Sequence, residues 1–254
     1  MNAALETRAL CKQFGGLVVA DNIDFRLEAG ARHALIGPNG AGKTTFVNML
    51  TGRLSPSSGE VLLAGESITG LSQSARVKRG IGRTFQITSL FPDLTVLDNV
   101  AIGVGERRGV AGHWWRPASA YAGVRDEAME LLSTLGLADA AQRPVSDLAY
   151  GEQRLVEIAI ALGLQPRVLL LDEPAAGVPS VAVPLVLRVL AALPKDIAIL
   201  IIEHDMDLVY QFADRITVLV QGKVLCEGTP AEISSDPRVH RVYLGERPAP
   251  EVRA

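Results

Sequence analysis

Four short runs in the 254-residue chain carry residue types that could do chemistry: "GPNGAGKTT" at 37–45, "LLLDEP" at 169–174, "EHD" at 203–205 and "RTFQ" at 83–86. In the first, a glycine, four free positions and then Gly-Lys-Thr make a turn with few Cβ atoms. Such a turn lets backbone approach a ligand and lines it with N–H donors at a helix start, which suits a phosphate. Beginning at Gly37, the amides of Asn39, Gly40, Ala41, Gly42, Lys43, Thr44 and Thr45 can surround a β-phosphate. The Lys43 ammonium can sit on the β- and γ-phosphates, and the Thr44 hydroxyl can ligate Mg²⁺. The rival reading, a chance glycine turn before an ordinary helix, is disfavoured because the apolar "HALI" precedes the turn and "FVNML" follows it.

The second run places Asp172 at the carboxyl end of an apolar strand, where sheet ligands commonly bind and where a carboxylate can support Mg²⁺. Glu173, one residue on, is placed to polarise a water attacking the γ-phosphate, a general-base role. Alone, "LLLDEP" reads equally well as an acidic turn before Pro174. His204 also follows an apolar run, "AILIIE", and its imidazole could donate to the γ-phosphate, although a lone histidine is more often structural. Gln86 closes a short strand read over 80–86 and, taken alone, is an ordinary surface amide.

The elements that must hold these residues follow from pattern. From Leu5 to Leu27, partial alternation at Val18, Ile23, Phe25 and Leu27 predicts short strands around a turn, an antiparallel sheet at the amino end. "ARHALIG" reads as a buried strand, 43–53 as the helix after the glycine turn, and "GEVLLAGESI" as a hairpin. Between about 92 and 163 the periodicity turns helical, in "LTVLDNVAIGV", "RDEAMELLSTLGL" and "GEQRLVEIAIALGL". The loop-like "GERRGVAGHWWRPASAYAG" interrupts it with Trp114 and Trp115, read as core or as a contact patch. "RVLLLDEP", "AIAILIIEHD" and "RITVLVQG" supply three apolar strands separated by helical stretches, the pattern of a mostly parallel sheet covered by helices. The tail "GTPAEISSDPRVHRVYLGE" reads as short helices with proline starts.

The expected fold is therefore α/β: a P-loop core with a mostly parallel sheet, an amino-terminal antiparallel β subdomain and an inserted helical subdomain. Residues 1–245 form a single domain, with the core at about 1–90 and 164–228, the helical subdomain at about 91–163, a helical tail at 229–245 and a disordered end at 246–254. A net charge of −3 argues against a nucleic-acid partner. No apolar run approaches the ~18–20 uncharged residues of a membrane helix, and nothing marks "MNAALETRAL" for secretion. Cys11 and Cys226 match no metal or redox spacing and read as buried, inert thiols.

With the P-loop, "RTFQ", "LAYGEQR", "LLLDEP" and "IIEHD" in that order, the chain resembles the ATPase subunits of ABC transporters over nearly all of 5–246. "LAYGEQR", "DEPAAG", "IIEHDMDLV" and "VYLGE" resemble the ATPases of branched-chain amino acid importers, which also carry extra residues where "GHWW" stands. The resemblance implies ATP and Mg²⁺ as ligands and a second ATPase subunit paired head to tail, in a homodimer or a paralogous heterodimer. Each ATP lies between one P-loop and the partner's signature loop, here Leu148 to Gln153, with Ala149, Tyr150, Gly151 and Glu152 facing the nucleotide. The helix begins near Glu152, and Gly151 permits close approach. Phe14 resembles the aromatic that stacks on adenine. Gln86 touches Mg²⁺ or the attacking water and relays occupancy to the helical subdomain. Two membrane permease subunits and a periplasmic or extracellular binding protein complete the assembly, on the cytoplasmic face of the inner (plasma) membrane.

Two positions depart from the family pattern. Ala149 stands where a serine is common, and Pro179 where an aspartate or asparagine usually communicates across the dimer. Rival readings stay open at this point: an ATPase of lipid or lipopolysaccharide export, whose tails also resemble "VYLGE", a non-transport P-loop ATPase, or a degenerate nucleotide-binding scaffold. A GTPase would need an Asn-Lys-x-Asp reader, and a DNA-repair or ribosomal ATPase a long insertion or a second cassette.

Overall fold

The computed structural model describes residues 3–84, 90–110 and 122–244, and all structural statements concern these. They fall into two compact units, one drawn from 1–70 with 202–254 and the other from 71–201.

In the first unit, β1 (Ala3–Phe14) pairs antiparallel with β2 (Leu17–Glu28) and with β4 (Ser58–Leu63), which pairs in turn with β5 (Glu66–Ser67). The sheet runs β2-β1-β4-β5. The strands of the first hairpin are twelve residues each, not short. Register shifts between Thr7 and Gln13, with Ala9 and Asn22 at positive φ, explain the difference. Each bulge restarts the inward–outward alternation, so one long strand reads as fragments.

The same unit holds β3 (Arg32–Ile36), parallel to β9 (Arg215–Val220), which pairs antiparallel with β10 (Lys223–Gly228). All five β3 positions are buried. The helix α1 spans Lys43–Leu50, shorter than the expected 43–53 because Thr51 and Gly52 end it. Phe25 of β2 packs edge-on against Phe46 of α1 at 5.5 Å and against His33 of β3 at 5.0 Å. These contacts fix the helix and strand that flank the glycine turn. The helix α7 (Met206–Phe212) is capped by Asp205, and α8 (Pro230–Ser235) and α9 (Pro237–Leu244) begin at the prolines. Cys11 and Cys226 are free but only half-buried, correcting the expected burial. Cys11 lies in the bulged part of β1, where its sulfur accepts from the Asn22 N–H, and Cys226 lies on the terminal strand β10.

The second unit contains α2 (Gln73–Lys78), and β6 (Ile81–Arg83) parallel to β7 (Val168–Asp172), with β8 (Ala198–Ile202) next to β7. Every position of β7 and β8 is buried, which is why both read as unbroken apolar runs. The helical stretch contains α3 (Val96–Arg107), α4 (Ala122–Thr134) and α5 (Tyr150–Gly163), followed by α6 (Val183–Ala192) after β7. Asn99, fully buried on α3, staples the preceding loop: its side-chain oxygen accepts from the Phe91 N–H at 2.9 Å, and its amide donates to the Phe91 and Thr95 carbonyls at 3.0 Å.

Candidate functional site

The first unit builds its half of the site from backbone. β3 stops at Ile36 and α1 starts at Lys43, leaving the glycine run as the turn between them. A Cβ on the buried Gly37 would lie 2.1 Å from the Leu219 carbonyl oxygen of β9, so no larger residue fits without moving main chain. Gly222, in the β9–β10 turn, donates its N–H to the Ala41 carbonyl at 2.9 Å and accepts from the Asp21 N–H at 2.9 Å. Gly42, the N-cap of α1, supplies no side-chain bond to the first turn of the helix, the end that favours an anion. Asn39, Gly40 and Thr44 are exposed, and Gly42, Lys43 and Thr45 half-buried. The Lys43 ammonium folds over the turn and donates to the Gly37 and Pro38 carbonyls.

Beyond β8, the Glu203 N–H donates to the Leu35 carbonyl at 3.3 Å, which ties this segment to the strand leading into the turn. Glu203 is buried, and its carboxylate accepts the His204 N–H at 3.2 Å with the exposed imidazole Nδ1 3.9 Å away. Asp205 has a structural task, accepting from the Asp207 and Leu208 amides as the cap of α7. Phe14 ends β1 half-exposed, with the Lys12 ammonium 5.0 Å from its ring centroid.

The second unit holds its residues with side chains. Asp172 is the last residue of β7 and is buried. Its carboxylate accepts from the Arg83 guanidinium at 2.8 Å. Sequence reasoning passed over Arg83, which opens "RTFQ": only the parallel register, which sets it opposite Leu170, two residues from Asp172 and hence on the same face, brings the two together. Glu173 follows with φ 48, the left-handed region that non-glycine residues seldom enter, and its carbonyl accepts the Ala176 N–H at 3.0 Å. β6 ends at Arg83, while Gln86 lies outside the described residues, as do Trp114, Trp115 and the end at 246–254.

The signature run behaves differently from expectation at one point. α5 begins at Tyr150 rather than near Glu152, because Ala149 takes the extended N-cap conformation. The Glu152 carboxylate accepts the Ala149 N–H at 2.9 Å. Alanine has no oxygen to return that bond, so the capping arrangement is half made. Gly151 is buried, and a Cβ there would meet the Ala182 and Val178 side chains at 3.4 and 3.6 Å, ordinary contact distances. Its own unit therefore does not demand a glycine. Pro179 is exposed and uses its carbonyl, which accepts the Ala182 N–H at 2.8 Å.

A glycine turn at a helix start, pinned from behind and entered by one lysine, is suited to a chain of phosphates; the molecule is thus of the P-loop nucleotide-binding class, on an α/β frame with an antiparallel amino-terminal sheet. Comparison with known proteins narrows this. The family model described as "ABC transporter" matches residues 20–176, and that described as "Branched-chain amino acid ATP-binding cassette transporter" matches 223–249. The chain is 39% identical over 249 residues to the high-affinity branched-chain amino acid transport ATP-binding protein LivG of Escherichia coli (strain K12), covering 95% of this chain and 98% of that one. It is 38% identical over 251 residues to BraF of Pseudomonas aeruginosa, with the same coverage. Among solved structures it matches the ADP conformation of MJ1267, an ATP-binding cassette of an ABC transporter, with TM-score 0.85 and 31% identity over 97% of this chain and 100% of that one. The chain belongs to the ABC transporter family and is a nucleotide-binding ATPase subunit of it. Among the described residues no helix is long and apolar enough to cross a membrane.

Proposed function

We propose that this ATPase powers the import of branched-chain amino acids or a related small solute. The observation that carries the reading is the likeness to LivG along almost the full length of both chains. The match of the importer-type model to the carboxyl region supports it independently. In this reading the chain works at the cytoplasmic face of the inner membrane, pairing with a second ATPase subunit and gripping two permeases. A periplasmic or extracellular binding protein delivers the solute to those permeases.

The chemistry assigns one task to each residue. The amides of 39–45 hold the β-phosphate, the Lys43 ammonium neutralises the β- and γ-phosphates, and Phe14 stacks on adenine. Thr44, Gln86 and Asp172 would hold Mg²⁺, which neutralises phosphate charge when bound. Among the described residues no three His, Cys, Asp or Glu side chains converge on a cage. Thr44 and Asp172 each offer the hard oxygen that Mg²⁺ prefers. Glu173 takes a proton from the attacking water and His204 donates to the γ-phosphate. Residues 149–152 face the partner's nucleotide with the positive end of α5. Closing the pair around ATP and reopening it after hydrolysis shifts the permeases only as far as nucleotide affinity differs between the two states.

The test is purification of the tagged chain from its native membrane with its companions, followed by reconstitution in vesicles. Leucine-loaded binding protein is expected to accelerate ATP hydrolysis. Acceleration by a lipid substrate instead, with no response to branched-chain amino acids, would overturn the importer reading.

A further inference from the structure

The start of α5 carries a buried charged cluster to which the proposed reaction gives no task. Arg154 and Glu157 are both buried and ion-paired at 2.7 Å, Nη1 to Oε2. One turn earlier, the Tyr150 phenol oxygen accepts from Arg154 Nη2 at 2.8 Å, and the guanidinium carbon lies 5.1 Å from the centroid of the Tyr150 ring. Spacings of three and four put all three side chains on one helix face. That face meets the segment following Glu173. A Cβ added to Gly177, whose φ is +74, would come within 3.0–3.1 Å of the Tyr150 ring atoms and hydroxyl. Arg154 and Glu157 also line a void of ≈ 10 Å³ together with Thr84, Ile158, Asp172 and Pro174, the last two being the chain neighbours of Glu173. Burial pushes the Glu157 carboxyl up, and Arg154 opposes that shift.

Glu173 itself needs such support. A left-handed backbone on a non-glycine residue is strained and persists only where surrounding structure holds it. The chain continues from Glu173 through Pro174 to Gly177, the stretch against which the Tyr150 ring and the Arg154 pair are packed.

We infer that Tyr150, Arg154 and Glu157 form a bridge that holds the turn after Glu173 in register with the start of α5, making Tyr150 and Arg154 positioning residues for hydrolysis. This rests on the ATPase assignment of Glu173 and deepens it. Displacement of the α5 start by a partner's nucleotide then moves the Glu173 turn of the same chain. The bridge supplies by side chains a connection that Pro179, without a side-chain donor or acceptor, does not.

The test uses Tyr150→Phe, which keeps the ring on Gly177 and leaves the ion pair intact, and Arg154→Lys, which keeps the charge but not the two-pronged contact. Arg154→Ala is avoided because it strands a buried carboxylate and endangers folding. In the full chain, amide exchange of the 174–182 peptide is expected to quicken about tenfold in both variants, while the 37–45 peptide keeps the wild-type rate. In the reconstituted transporter, Arg154→Lys is expected to lower kcat about tenfold at unchanged KM for ATP, and adding Tyr150→Phe is to lower kcat no further. Unchanged exchange at 174–182 would overturn the bridge whether or not the chain hydrolyses ATP. So would a lowered Tm with kcat intact, the mark of a merely structural cluster. Failure of the ATPase reading shows separately, as absence of hydrolysis in the wild-type transporter.

Discussion

The glycine turn and the α5–β7 region meet the same demand, holding groups at fixed places, by opposite means. In the turn the parts are amides and the fixings are main chain: Gly222 to Ala41, Asp21 to Gly222, and Gly37 pressed against the Leu219 carbonyl. In the other region the parts are carboxylates and the fixings are guanidinium groups, Arg83 on Asp172 and Arg154 on Glu157. A backbone device tolerates many side chains but few added atoms. A side-chain device tolerates added atoms but not the loss of one partner. Substitutions should therefore fail differently in the two places.

The largest expected effect is on the side-chain region. Arg83→Met strands the buried Asp172 carboxylate and should destabilise the fold by about 3–5 kcal/mol at neutral pH. Urea unfolding reads this, and adding Asp172→Asn should restore most of it; a loss below 1 kcal/mol would show that the pair behaves like a surface one.

The strand that feeds the turn predicts a pH effect nearly as large. His33 is buried, and burial holds its pKa at about 4, below the ordinary 6.5, with Glu227 opposing and Arg215 adding to the shift. Its Nε2 lies 2.8 Å from the Thr217 hydroxyl, which donates to Glu227 at 3.2 Å. The unfolded chain takes the proton more readily than the folded one. Stability from this group is therefore complete above pH 6.5, declines as pH falls, and by pH 4 has lost about 3 kcal/mol. Melting temperatures of the wild type should fall more steeply across that window than those of His33→Gln. Parallel curves would mean that His33 is not held neutral.

On the turn itself, Gly37→Ala forces the new methyl onto the Leu219 carbonyl and should cost about 1–3 kcal/mol. Nucleotide titration with the same protein should show weakened binding, and wild-type affinity would contradict the close fit. The smallest effect concerns the α5 cap. Ala149→Ser lets the new hydroxyl accept an amide of the first turn and complete the exchange with Glu152, a gain of about 1 kcal/mol visible as a raised urea midpoint.

The same contrast explains what could be read in advance. The turn is contiguous in sequence, so its glycines, Lys43 and Thr44 announce both a conformation and a ligand. The strands β7, β8 and β9 are legible because burial on both faces demands continuous apolar runs. Of the Arg83–Asp172 pair only Asp172 was legible, since the strand pairing that brings Arg83 to it is not local in sequence; the Tyr150–Arg154–Glu157 cluster was not, since charged residues on a helix ordinarily face water and only the packed structure shows which ones are enclosed. The long hairpin was misread for a local reason: bulges near Ala9 broke the period-two signal. The helix start at Tyr150 was missed because alanine is a poor cap by its own chemistry, and the compensating bond comes from Glu152 three residues on.

The account turns on Glu173 activating water at a nucleotide clasped by two subunits. The direct test is Glu173→Gln, followed by light scattering on the purified chain with Mg-ATP, and ATPase rates in the reconstituted transporter. The account predicts a dimer that forms with ATP and dissociates when ATP is removed, and hydrolysis lowered to a small residue of the wild-type rate. A variant that hydrolyses at the wild-type rate, or that binds nucleotide and stays monomeric, would contradict it.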